Sequence, residues 1–225
     1  MTTGIVDDFR PTSYVTSACV SELNGGEQLL LARALPALLA LSNRTVAITA
    51  KSRSGKDHVA NRIREYKLLT SNIRALAEPI GEIAKTIYGK LEGKHRNLFI
   101  LIEQELRKED SNIWFKVWLR RNIELFLKGE HHRFICPDLR QPTDYDFFKH
   151  LGAVIVKIEA DEEKRLGKIA ELDGVDALNE ELLKDTERSA GSFETNNVLV
   201  NNYDDQFNAD IEEFIANVLV AQKGW

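Results

Sequence analysis

Cysteine, methionine and proline are scarce in this chain. Its 225 residues hold two cysteines, Cys19 and Cys136, one methionine and five prolines. Two thiols without CxxC or Cys/His spacing exclude a disulfide scaffold and a zinc ribbon, and both read as reduced thiols of a cytoplasmic protein. So little proline, with 13 glycines, excludes a collagenous or low-complexity chain. Positive charge is also short: 30 Lys and Arg against 35 Asp and Glu leave a formal net charge of −5. Coating a nucleic acid needs a surplus of cations, so no nucleic-acid polymer is expected as partner, while a local basic pocket fits the acidic average. Long hydrophobic runs are missing too. The best candidate, Leu29–Leu41, is broken by Arg33 and Pro36 and falls short of the roughly 20 residues needed to span a bilayer. Asp7, Asp8, Arg10 and Glu22 precede it instead of a basic start, so it does not read as a signal peptide, and no membrane partner is expected.

What is present is ordinary globular material, 43% hydrophobic and 29% charged. Residues 1 to about 27 are polar and aperiodic, an extended arm ending in the turn Asn24-Gly25-Gly26. Leu29–Leu41 reads as a helix covering a core, kinked or restarted at Pro36. Thr45–Thr49 is a β-branched strand, Ala50–Lys56 a polar loop, and Val59, Ile63 and Tyr66 fall at helical spacing directly after it. Further helices are marked by Ile80, Ile83, Ala84 and Ile87, closed by Gly89, and by Leu98, Ile102 and Leu106. Another carries Trp114, Trp118, Arg121 and Leu125 on one face behind an Asp110 or Ser111 cap. Arg133–Cys136 reads as a buried strand ending at Pro137-Asp138, Tyr145–His150 as a helix, and Ala153–Ile158 as the clearest strand. Helices at 161–172 and 209–222 flank a last strand, Asn197–Asn201. Alternating strands and helices predict a three-layer α/β fold with a mostly parallel sheet and helices on both faces.

The loop Ala50-Lys51-Ser52-Arg53-Ser54-Gly55-Lys56-Asp57 carries the sharpest chemistry. It departs twice from the phosphate-binding pattern GxxxxGK[ST], at Ala50 and at Asp57. The physics survives both changes. Loop N–H groups and a helix N-terminus can surround a phosphate, and Lys56 adds a point charge for β- and γ-phosphates. A carboxylate at position 57 cannot donate as a hydroxyl does, but it can coordinate Mg²⁺ directly or through water. Ala50 adds a methyl where such loops turn tightly, and the expected effect is an altered path or weaker donor binding.

SGKD in place of GK[ST] resembles a subset of P-loop small-molecule kinases, notably phage-type deoxynucleoside monophosphate kinases and animal phosphomevalonate kinases. Three further segments are similar to the first group: Ala77-Glu78-Pro79-Ile80-Gly81-Glu82-Ile83-Ala84 followed by Ile87-Tyr88-Gly89; Ser111-Asn112-Ile113-Trp114 followed by Arg120-Arg121; and Asp138-Leu139-Arg140-Gln141-Pro142. The likeness spans about residues 45–222 and leaves 1–44 outside it as an N-terminal arm and helix. It implies a kinase domain over 45–225, with acceptor-binding helices at about 73–130 and a lid at about 160–190.

The resemblance also implies roles. Lys56 would bind the terminal phosphates of ATP, with residues 50–57 as the donor loop. Asp57 would help hold Mg²⁺, and so would Asp138, at the carboxyl end of a strand where open α/β sheets place their chemistry. Arg140 would grip the acceptor phosphate. Competing readings are a capping carboxylate for Asp138 and an exposed salt bridge for Arg140. Arg165 would neutralise charge from the lid, or belong to a solvated charged face. Glu187 is a weaker candidate acid. Trp114 and Trp118, with Arg121 nearby, would stack on a base or pack in the core. His131 and His132 lack a third ligand, so zinc is not expected. Glu103, Glu105, Glu109 and Asp110 read as a solvated helix face.

The implied activity is ATP- and Mg²⁺-dependent phosphoryl transfer to a (deoxy)nucleoside monophosphate. Alternatives keep the fold and change the acceptor to dephospho-coenzyme A or phosphomevalonate, or make the protein a non-catalytic nucleotide-binding regulator. Whether it acts as a monomer or a homodimer is open at this level.

Overall fold

The computed structural model describes residues 36–42, 44–66, 71–89, 95–130, 133–175 and 190–221. The arm at 1–27, Cys19, His131, His132, Glu187 and part of the expected lid lie outside the described residues.

The elements run β1 (Thr45–Ala50), α1 (Lys56–Glu65), β2 (Ser71–Ile73), α2 (Glu78–Tyr88), α3 (Arg96–Glu109), α4 (Ile113–Leu127), β3 (Arg133–Leu139), α5 (Pro142–Leu151), β4 (Val154–Ala160), α6 (Glu162–Asp173), β5 (Asn197–Asn201) and α7 (Gln206–Phe214). A π-helical stretch, Ile215–Val220, continues α7. The five strands form one sheet in the order β2-β3-β1-β4-β5, every pair parallel. This is the three-layer α/β arrangement expected from the sequence.

β1 lies at the centre and all six of its residues are buried. Its TVAITA run is apolar on both faces because helices cover both, as in parallel sheets generally. Val46, Ile48 and Ala50 pack with Val59 and Ile63 of α1, Ile211 and Phe214 of α7, and Leu219. Ala47 faces the opposite core, built from Trp118 of α4, Phe148 of α5, Phe134 and Cys136 of β3, and Leu41 of the helical residues 36–42. Period-two alternation in β1 and period-3.6 spacing in the helices thus fill two cores, one on each side of the sheet.

Two features differ from the sequence-level expectation. The short edge strand β2, Ser71–Ile73, carries no periodic signature in the sequence. β3 does not end at Pro137-Asp138 but continues to Leu139. Cys136 is in register with Ala47 and Leu139 with Thr49, so three residues of advance on β3 match two on β1. The extra residue is a bulge at Pro137-Asp138, which accommodates a proline that has no N–H for a ladder. It also sets Asp138 and Arg140 at the carboxyl edge of the sheet.

Candidate functional site

The loop after β1 is positioned by three side chains that reach its carbonyl groups. Arg165 of α6 donates to Ser52 O at 3.0 Å, the Tyr203 hydroxyl to Arg53 O at 2.9 Å, and Asn201 Nδ2 to Ser54 O at 3.0 Å. Asn201 is itself fixed, its Oδ1 accepting the Tyr203 N–H at 2.8 Å. A trans peptide carries its N–H opposite its C=O, so these ties aim the N–H groups of Arg53 and Gly55 away from the three side chains. The Ser54 N–H turns back to Lys51 O at 3.3 Å. The first turn of α1 adds N–H groups that have no intrahelical acceptor, at the positive end of the helix dipole.

Gly55 makes the turn into α1 with φ of 98°. A Cβ at this position would lie 2.8 Å from Asn201 Nδ2 and 3.2 Å from the Phe207 ring, so backbone conformation and space both require glycine. Ala50 is different. It is still part of β1, in register with Ile158, and its methyl is buried in the apolar core. The side chain at this departure from the phosphate-binding pattern fills the core.

The charged groups of the loop are paired. Lys56 Nζ lies 3.1 Å from both carboxylate oxygens of Asp57. Arg53 makes a two-bond contact with Asp173 of α6 at 2.8 and 2.6 Å, which raises the Arg53 pKa above its ordinary value. Lys51 Nζ is 3.2 Å from Glu162. The Arg165 guanidinium, bonded to both Glu162 oxygens, is the main reason the Glu162 carboxyl is pulled down to about 2, with Lys51 adding to it.

Beside the loop lies a cavity of about 520 Å³. Lys56 from α1 and Asp138 and Arg140 from the end of β3 line one part of it. Both Asp138 oxygens accept backbone N–H groups, from Leu76 at 2.8 Å and Ala77 at 2.9 Å, immediately ahead of α2. Asp138 therefore anchors the entry to α2; its Oδ1 also accepts from Cys136 Sγ at 3.4 Å, while Oδ2 keeps further accepting capacity. Leu76, Ile80, Ile100 and Trp114 supply apolar walls. The rest is a charged wall on α3 and α5. There Arg107 bridges Asp144, at 2.8 and 3.3 Å, and Glu103, at 3.3 Å, and also donates to Ser111 O at 2.8 Å. Burial raises the Asp144 carboxyl pKa, with the Arg107 hydrogen bonds opposing that shift.

The structure thus brings Lys56, Asp138, Arg140 and Trp114 to one cavity and sets Asp57 beside Lys56. Arg165 is 3% exposed and tucked beneath the loop, where it supports Ser52 and does not form a solvated face. It lines a second cavity of about 400 Å³ together with Lys51, Ser54 and Lys157. Trp118 is a core residue, edge-on to Phe148 at 5.2 Å, with its indole N–H on Arg74 O at 2.9 Å. Arg121 pairs with both carboxylate oxygens of Glu82, linking α4 to α2 outside the cavity lining. Glu103 is corrected in part, because it faces the cavity and Arg107 with its side chain 30% exposed, against 55% for Glu105. Sequence reasoning missed Asn201, Tyr203, Arg107 and Asp144. Only Asn201 and Tyr203 left a trace, as polar residues at the carboxyl end of a strand.

Among the described residues no group of three or more His, Cys, Asp and Glu forms a metal cage. Magnesium seldom uses such a cage, since it keeps waters and takes one or two carboxylates plus phosphate oxygens. Asp57, whose side chain is 76% exposed at the mouth of the loop, fits that donor set.

The fold and this geometry define a three-layer α/β protein with a conformationally fixed loop at the carboxyl end of its central strand and a charged cavity alongside. No protein-family model matches the chain, and no curated protein matches it in sequence. Among the described residues no helix is long and apolar enough to cross a membrane.

Proposed function

We propose that this protein is a cytoplasmic, ATP- and Mg²⁺-dependent kinase that phosphorylates a (deoxy)nucleoside monophosphate to the diphosphate. The observation that carries the reading is that Lys56 belongs both to the loop at the α1 N-terminus and to the lining of the Asp138–Arg140 cavity. One ammonium group can therefore meet the donor's terminal phosphates and the reaction space at once. The likeness of SGKD and DLRQP to segments of phage-type deoxynucleoside monophosphate kinases supports the same assignment.

In this reading the loop N–H groups and Lys56 hold the polyphosphate of ATP. Arg140 orients the acceptor phosphate, with a planar pair of donors suited to two phosphate oxygens. Asp57 and Asp138 would hold magnesium, whose contribution is to neutralise charge on the donor phosphates. An acceptor phosphate oxygen forms a bond to the γ-phosphorus, the bond from that phosphorus to the β–γ bridging oxygen breaks, and the electron pair leaves with ADP. The acceptor oxygen is already ionised at neutral pH, so no general base is required, and positioning with charge stabilisation provides the catalysis.

The test is a coupled assay of ADP formation with MgATP and a panel of nucleoside monophosphates, dephospho-coenzyme A and phosphomevalonate, with product identified by mass. A nucleoside diphosphate product is expected. Phosphorylation of only a non-nucleotide acceptor, or no phosphorylated product at all, would overturn the proposal.

A further inference from the structure

The cavity has two electrostatic poles. At the loop end the cations of Lys56 and Arg140 stand with the carboxylates of Asp138 and of Asp57, which pairs with Lys56, so that pole is balanced in charge. At the α3 end the single positive charge of Arg107 stands between the negative charges of Asp144 and Glu103, so that pole is net negative. A phosphate belongs at the first pole and is repelled from the second. A bound nucleoside monophosphate is therefore oriented, its base directed at α3 between the apolar surfaces of Ile80, Ile100 and Trp114.

The groups that meet the base edge differ in what they still offer. Arg107 spends four of its five N–H donors on Asp144, Glu103 and Ser111 O. Glu103 spends one oxygen, Oε1, on Arg107, its side chain is 30% exposed, and it lines the cavity. An ionised carboxylate only accepts hydrogen bonds, and it matches a ligand edge that carries two adjacent N–H donors. Among the common bases, guanine presents such an edge, with its N1–H beside its 2-amino group. Adenine and cytosine place a ring acceptor next to their amino group, and uracil and thymine flank one N–H with two carbonyls. Each of these sets at least one oxygen or nitrogen lone pair against the carboxylate.

We infer that Glu103 is the base-reading residue of this cavity and that it selects a guanine nucleoside monophosphate as acceptor. This rests on the kinase reading above. Arg107, itself anchored by Asp144, acts as the positioning residue that keeps Glu103 in place. Specificity here comes from setting a wrong base's lone pair against the carboxylate as much as from bonds with the right one.

The experiment measures kcat/KM with saturating MgATP for GMP, dGMP, AMP, CMP, UMP and dTMP, for the wild-type chain and for Glu103→Gln. The wild type is expected to prefer the guanine nucleotides by roughly tenfold to a hundredfold, the scale of one two-bond base contact. Glu103→Gln, which keeps the shape and loses the charge and one acceptor, is expected to lose most of that preference through KM. Its MgATP affinity, followed by calorimetry in the absence of acceptor, is expected to stay at the wild-type value, which also shows that the variant is folded. Phosphorylation of nucleoside monophosphates without a guanine preference, or a preference that survives in Glu103→Gln, overturns this inference and leaves the kinase reading standing. Failure of every nucleoside monophosphate to react overturns both.

Discussion

In the loop between β1 and α1, three side chains, from α6, from β5 and from the turn after β5, reach inward to backbone carbonyl groups, so the loop is held by bonds from Arg165, Asn201 and Tyr203. On the α3 wall of the cavity the side chains reach chiefly to one another, and one cation, Arg107, holds two carboxylates. The first arrangement fixes main-chain shape redundantly, and loss of one tie leaves two. The second concentrates its stability in a single charge. A site that must cradle an anion with backbone N–H groups needs the former, and a wall that must distinguish ligands by side-chain chemistry can use the latter.

The largest effect expected on the loop side is functional. Lys56→Ala should lower turnover by roughly 10²- to 10³-fold, the scale for losing one preorganised charge-stabilising group. Its thermal midpoint should stay close to wild type, because the Lys56 side chain is not part of either apolar core. On the α3 wall the largest effect is structural. Arg107→Ala leaves Asp144, 2% exposed, without its cation, and should cost about 3–5 kcal/mol in urea unfolding. Adding Asp144→Asn to that variant should restore part of the loss. If Arg107→Ala unfolds like wild type, the contrast between the two regions is mistaken.

Two smaller effects sharpen the comparison. Gly55→Ala should destabilise by about 1–2 kcal/mol from left-handed backbone strain, and the added Cβ near Asn201 should also weaken MgATP binding. The Glu162 carboxyl titrates near 2 in the folded protein against an ordinary 4.5. A depressed acid favours the folded state above the unfolded pKa, so this contribution is present above about pH 4.5 and is lost as pH falls toward 2. Glu162 is 49% exposed, which limits the contribution at neutral pH to about 0.5 kcal/mol or less. Glu162→Gln should be slightly less stable than wild type at pH 7, and the gap should close in melts toward pH 2.

Much of this architecture is visible in the residue pattern. β1, β4 and their helices announce themselves because a doubly covered parallel strand needs an unbroken apolar run, and SGKD stands between such a run and a helical period. β2 does not, since Ser71-Asn72-Ile73 is too short for a period and is selected by pairing with β3. Pro137 conceals the end of β3 because a bulge, a property of two strands together, rescues it. The site divides along the same line. Lys56, Asp138 and Arg140 are local to strand ends and were legible. Asn201 lies 147 residues from the carbonyl it holds. Glu103 on its own helix is indistinguishable from the exposed Glu105 beside it, because only the placement of α3 against α2 and, through Arg107–Asp144, α5 turns one of them inward.

The most direct measurement is calorimetric titration of MgATP into the purified chain and into Lys56→Ala. One binding site in the wild type, weakened strongly by the substitution, is the predicted result. Absence of any binding heat in the wild type, or equal binding by both proteins, would contradict the assignment of the β1–α1 loop as the seat of the donor phosphates.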